Sequence, residues 1–85
     1  MNLKKVEKST DFIVDIYGIT ELFPNTEKYG LTSQIRRASV SIASNIAEGS
    51  SRSTPKDKAR FYTIAYSTAV EVLNQLVIAN RLQIC

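Results

Sequence analysis

The stretch LTSQIRRASVSIASNIAEG, residues 31–49, carries the strongest structural signal in this chain of 85 residues. Its apolar side chains recur at helical spacing along two adjacent lines, and a third line is polar throughout. This pattern predicts a helix that neighbours cover on two sides, as in a helical bundle. The first apolar line holds Leu31, Ile35, Ala38, Ile42 and Ile46, the second holds Arg36, Val40, Ala43 and Ala47, and the polar line holds Arg37, Ser41, Ser44 and Glu48.

One further helix is predicted on each side of this stretch. The first carries Phe12 and Ile16 on one apolar stripe, and it ends before Pro24, because a residue that precedes proline is pushed out of the helical region. The last begins at Thr54, which fits the N-cap, with Pro55 in the first helical position. We therefore expect a single all-α domain, residues 1–85, with helices at about 3–22, 30–48 (Gly49 taking the left-handed position after it) and 55–83.

Composition narrows the class of protein. Cys85 is the only cysteine, so no disulfide forms within the chain, and we expect an intracellular, cytoplasmic protein. No apolar run reaches the ~18–20 residues that cross a bilayer, so we expect no membrane partner. The chain has no histidine and no glycine-rich phosphate loop, and its carboxylates are scattered singly. We therefore expect a non-enzymatic protein with no catalytic residue, metal, cofactor or small-molecule substrate.

Positive charge is concentrated in the middle of the chain. The net charge is +3, whereas residues 28–60 alone carry seven basic and two acidic side chains. Such a field favours an anionic partner, RNA or DNA, although the same cations also suit an ordinary solvated face. The candidate nucleic-acid-binding residues are Arg36, Arg52, Lys56, Lys58 and Arg60.

The two adjacent arginines of the motif are expected to have different roles. Their side chains project about 100° apart around a helix. Arg36 is expected to reach solvent or a partner. Arg37 is expected to join a polar network between helices, pairing with Glu48 of another chain or with Glu71. The predicted structural network consists of Arg37, Ser41, Asn45 and Glu48.

Read with its flanks, the motif resembles the four-helix-bundle proteins encoded in intervening sequences of bacterial 23S ribosomal RNA genes. Ala43 departs from the family pattern, which often has proline there, and Val6 stands where a larger aromatic is common. The family pattern also continues past Cys85 into a fourth helix. The resemblance rests on Ile16-Tyr17 with Thr20 and Phe23-Pro24, on residues 27–31, on residues 32–49, and on Phe61 with Ile64-Ala65 and Glu71.

The resemblance implies an up-down antiparallel helical bundle of which this chain holds three helices, with the fourth missing. It also implies a homo-oligomer, since related proteins form pentameric rings, and a basic relative assists a reverse transcriptase and binds nucleic acid. Three helices of such a bundle would leave an apolar groove open to water, and covering that groove would favour the same association. The expected function is that of a self-associating protein that binds RNA or DNA. The alternative is a structural scaffold that contacts other proteins and no nucleic acid.

Overall fold

A computed structural model describes residues 2–27 and 29–83 of the chain. It contains α1 (Leu3–Thr20), α2 (Leu31–Ser51) and α3 (Pro55–Arg81), with a short 3-10 turn at Asn25–Glu27. The all-α prediction is confirmed, and no strand occurs within the described ranges. None of these helices is both long enough and apolar enough to cross a membrane. Cys85 lies outside the described residues.

The helix starts follow from local capping. The side chain of Asn2 accepts a hydrogen bond from the backbone N–H of Lys5 at 3.2 Å, which caps α1. The Thr54 hydroxyl accepts one from the backbone N–H of Asp57 at 3.2 Å, and Pro55 follows in the first turn of α3. Both side chains satisfy amide groups that have no partner within their own helix. The Thr54-Pro55 start was predicted from sequence and is confirmed.

Gly49 lies inside α2, so the expectation that it follows the helix in a left-handed conformation is wrong. A Cβ at this position would lie 2.7 Å from Cε1 of Tyr62 and 3.3 Å from Cβ of Phe61. Such distances are shorter than van der Waals contact. The absence of a side chain at Gly49 therefore lets Phe61 and Tyr62 pack directly against the last turns of α2.

The central position of α2 organises the core. Cα atoms of α2 lie within 8 Å of Cα atoms of both other helices, whereas no such pair joins α1 and α3 among the described residues. The prediction that α2 has two neighbouring helices is thus confirmed. Ile35 is completely buried and Val72 is 2% exposed. The buried apolar core consists of Ile16, Phe23, Ile35, Ala38, Ile42, Ala65, Val72 and Ala79.

An open groove separates α1 from α3, with α2 as its floor. Its volume is about 540 Å³, and its lining is mostly apolar, with Phe12, Ile46 and Ala65 among the side chains. Apolar side chains of α3 continue this surface, since Tyr66 is 72% exposed and Leu73 is 63% exposed. The described residues therefore leave a large apolar surface uncovered.

Candidate nucleic-acid interface

One end of the molecule collects cations from α1 and from the connection between α2 and α3. The start of α1 reaches this place, because Nζ of Lys5 lies 4.6 Å from the ring centroid of Tyr62. Lys5, Lys58 and Tyr62 line one shallow depression. Four of the five predicted candidates belong here, whereas Lys5 was not predicted. The cations at this end of the molecule, called the basic end below, are Lys5, Arg52, Lys56, Lys58 and Arg60.

Two arginines of the basic end lie against one aromatic ring. The guanidinium carbon of Arg52 is 4.7 Å from the ring centroid of Phe61, and that of Arg60 is 5.5 Å away. Arg52 also donates a hydrogen bond to Oε2 of Glu48 at 2.9 Å. These contacts restrain the arginines while using one of the five N–H donors of Arg52. The remaining donors suit the oxygens of a phosphate group.

The contact of Lys58 with the end of α2 accounts for the presence of cations near the start of α3. Its ammonium donates to the backbone carbonyl of Ser50 at 3.4 Å, in the last turn of α2. A helix N-terminus disfavours cations, but a helix C-terminus favours them by about 0.3–1 kcal/mol. The start of α3 lies beside the end of α2, so the dipole of α2 compensates for that of α3.

Arg36 lies at the opposite end of α2 and contacts α1. Its Nε donates to Oγ1 of Thr20 at 2.8 Å, and its Nη2 donates to the Tyr17 carbonyl at 3.4 Å and to Glu21 at 3.3 Å. The guanidinium also lies 4.4 Å from the Tyr17 ring centroid. The last turn of α1 contains no basic residue of its own, so Arg36 supplies the cation that the dipole of α1 favours.

Contacts within the chain thus occupy much of the Arg36 guanidinium, which was expected to reach solvent or an outside partner. Its side chain is only 26% exposed and joins two helices. It also lies about 24 Å along the helix axis from Arg52, since sixteen residues separate them. Arg36 is therefore not part of the basic end, and a role for it in nucleic-acid binding stays a prediction.

Replacing this arginine tests its structural role. We expect Arg36→Ala to lower the free energy of unfolding by about 1–2 kcal/mol, because the Thr20 hydroxyl and the Tyr17 carbonyl lose a charged hydrogen-bond donor. Urea unfolding followed by circular dichroism measures the change. The exposed Arg81 gives the control, and Arg81→Ala should change stability by less than about 0.5 kcal/mol. Equal losses in the two variants would contradict the assignment.

The predicted structural polar network is divided among separate contacts. The Asn45 amide donates to the backbone carbonyl of Ser41 at 2.8 Å and to its hydroxyl at 3.3 Å. Glu48 pairs with Arg52 on the same stretch of chain, four residues away. Arg37 is exposed and forms no ion pair within 4 Å in the described part of the chain. It lines a shallow cleft between α2 and α3 together with Glu71.

Taken together, these features define a small all-α protein with a central packing helix and a cationic end. Within residues 2–27 and 29–83, no group of three or more acidic, cysteine or histidine side chains is placed to hold a metal ion. The family model described as 23S rRNA-intervening sequence protein matches residues 1–85. The chain belongs to the 23S rRNA-intervening sequence protein family, as the motif predicted. No significant match was found among curated proteins.

Proposed function

We propose that this protein is a non-enzymatic, self-associating member of its family that binds RNA through the basic end. The observation that carries the proposal is the gathering of cations from separate helices at one end of the molecule, where Lys5 and Lys58 line the same depression. Lys5 comes from α1, whereas Lys58 and Arg60 come from α3. Contacts between such cations and phosphates supply most of the non-specific affinity for nucleic acids.

The aromatic rings at the basic end favour phosphate contacts over base stacking. Lys5 lies over Tyr62, and two arginines lie over Phe61. A ring that is already in contact with a cation offers less of its face to a nucleobase. Contacts with phosphates position a nucleic acid without reading its bases, so we propose binding with little sequence preference.

Self-association and the wider architecture belong to the same proposal. Thr20 near the end of α1 contacts Arg36 near the start of α2. Far along α3, Nε2 of Gln75 donates a hydrogen bond to Oε1 of Gln34 in α2 at 3.4 Å. These contacts support an up-down antiparallel bundle in which the groove between α1 and α3 is the place of a fourth helix. Exposed apolar surface of this extent is normally covered, which supports a homo-oligomer. A five-membered ring stays a prediction from the resemblance.

The apolar groove supports a second candidate function. A scaffold protein would bind another protein through the faces of α1 and α3 that line this groove of about 540 Å³. Grooves of this kind accept an amphipathic helix from a partner. Under this alternative, the cations of the basic end form only a solvated surface.

Binding of labelled RNA separates the two functions. Fluorescence anisotropy with a short single-stranded RNA at about 50 mM monovalent salt should show saturable binding, because phosphate contacts are strongest at low salt. A DNA strand of the same sequence shows whether the sugar matters, and a second RNA sequence of equal length should bind within about threefold of the first. Absence of binding to both RNA and DNA at this salt concentration would overturn the proposal and leave the scaffold function.

A further inference from the structure

A second surface lies on α2 and α3 away from the apolar groove. Glu71 projects about 140° around α3 from Tyr66, which lines the groove. This surface, called the polar cleft below, consists of Gln34, Arg37, Ala38, Ser41, Thr68 and Glu71. Neither the basic end nor the core uses these charged side chains.

The polar cleft contains one cation and one anion that no ion pair satisfies. Arg37 and Glu71 are both exposed, and neither has a carboxylate or cationic nitrogen within 4 Å in the described part of the chain. Glu48 is not available to Arg37, because it already pairs with Arg52 at 2.9 Å. The cleft is therefore self-complementary in charge.

Apolar side chains of α3 flank the anion of the cleft. Ile64 and Ile78 each lie seven residues from Glu71 and so share its line along the helix. They are 42% and 41% exposed. The small side chains of Ala38 and Ser41 on the α2 side leave room for close approach. An interface here would thus have apolar edges around a central charged contact.

We infer that a second copy of this chain docks on the polar cleft, with Arg37 of one copy paired with Glu71 of the other. This inference rests on the proposed self-association and adds a second contact between copies to the one that the apolar groove supports. Charge complementarity selects the partner, because an identical cleft supplies the carboxylate that Arg37 lacks and the guanidinium that Glu71 lacks. A nucleic acid would satisfy Arg37 but repel Glu71. An ion pair covered by a protein partner is screened less than an exposed one.

Charge reversal and mixing test the pairing. Light scattering and sedimentation over a concentration series should show that the wild-type chain associates. R37E and E71R should each weaken association at least about tenfold, because each variant places like charges opposite one another. Association should return when R37E and E71R chains are mixed in equal amounts, and also in the double variant R37E/E71R. Controls with the same change of charge, R81E and D11R, should associate like the wild-type chain.

The possible failures are distinguishable. A wild-type chain that stays monomeric at every concentration would overturn both the self-association and the docking surface. A wild-type oligomer that R37E and E71R leave unchanged, or that mixing does not restore, would overturn the polar cleft alone and direct attention to the apolar groove. Circular dichroism establishes that each variant is folded, and where a reversal prevents folding, R37A and E71A replace it with the same expected direction of change.

Discussion

The Ile35→Ala variant is expected to lose about 2–5 kcal/mol of unfolding free energy relative to the wild-type chain. Ile35 is completely buried in the apolar core and lies on the helix that contacts both others. Removing its side chain loses the favourable transfer energy and leaves a cavity between packed helices. At roughly 0.05–0.15 kcal/mol per residue, a chain of 85 residues is stable by about 4–13 kcal/mol, so the loss is a large share of the total.

Urea unfolding followed by circular dichroism measures this loss. Protein concentration must be equal for all variants, because association of the folded chain raises its apparent stability. Val40→Ala is the matched control, since Val40 is on the same helix but 42% exposed. Its expected loss is below about 1 kcal/mol. A loss at Val40 equal to that at Ile35 would contradict the burial of Ile35 and the exposure of Val40 on this helix.

The K5E/K58E variant is expected to bind RNA on the order of 100-fold more weakly at low salt. The two lysines come from different helices but line the same depression. Reversing both removes two phosphate contacts and adds two repulsive charges at the same place. Fluorescence anisotropy with labelled RNA measures the loss, and circular dichroism verifies that the helices are retained.

Single variants show whether α1 contributes to the basic end. K5E alone should weaken RNA binding by roughly tenfold, as K58E should, because both lysines would face the same phosphates. R81E carries the same change of charge at the far end of α3 and should change affinity by less than about threefold. If K58E weakened binding and K5E did not, the start of α1 would not belong to the interface.

The helices of this protein could be predicted because their signals are local. Apolar spacing identified α2, and the Thr54-Pro55 pair identified the start of α3. The conformation of Gly49, in contrast, could not be predicted from the residues next to it in the sequence. A glycine near the end of a helix commonly takes a left-handed conformation, but here the approach of Tyr62 requires a position without a side chain inside the helix. Sequence spacing alone does not reveal that tertiary contact.

Helical periodicity predicted only part of the placement of the two arginines. The periodicity placed Arg36 and Arg37 on different faces of α2, but which face lies against another helix depends on where α1 crosses α2. One signal was present, since Arg36 stands on an apolar line with Val40 and Ala43. The structure places its guanidinium on Thr20.

Lys5 was not predicted for a different reason. It lies in the first part of the sequence, residues 1–27, whose net charge is negative. Folding instead brings the start of α1 to Tyr62 and separates it from the acidic end of that helix. A count of charge along the chain does not reveal that contact between the start of α1 and α3.

The salt dependence of RNA binding tests the central claim most directly. Log affinity plotted against log salt concentration should fall with a slope between about −2 and −3.5, because each phosphate contact of a single strand contributes about −0.7 and the basic end offers five cations. The slope for K5E/K58E should be shallower by about 1.4, corresponding to two lost contacts. A wild-type slope near zero, or a slope that the two reversals leave unchanged, would contradict RNA binding at the basic end.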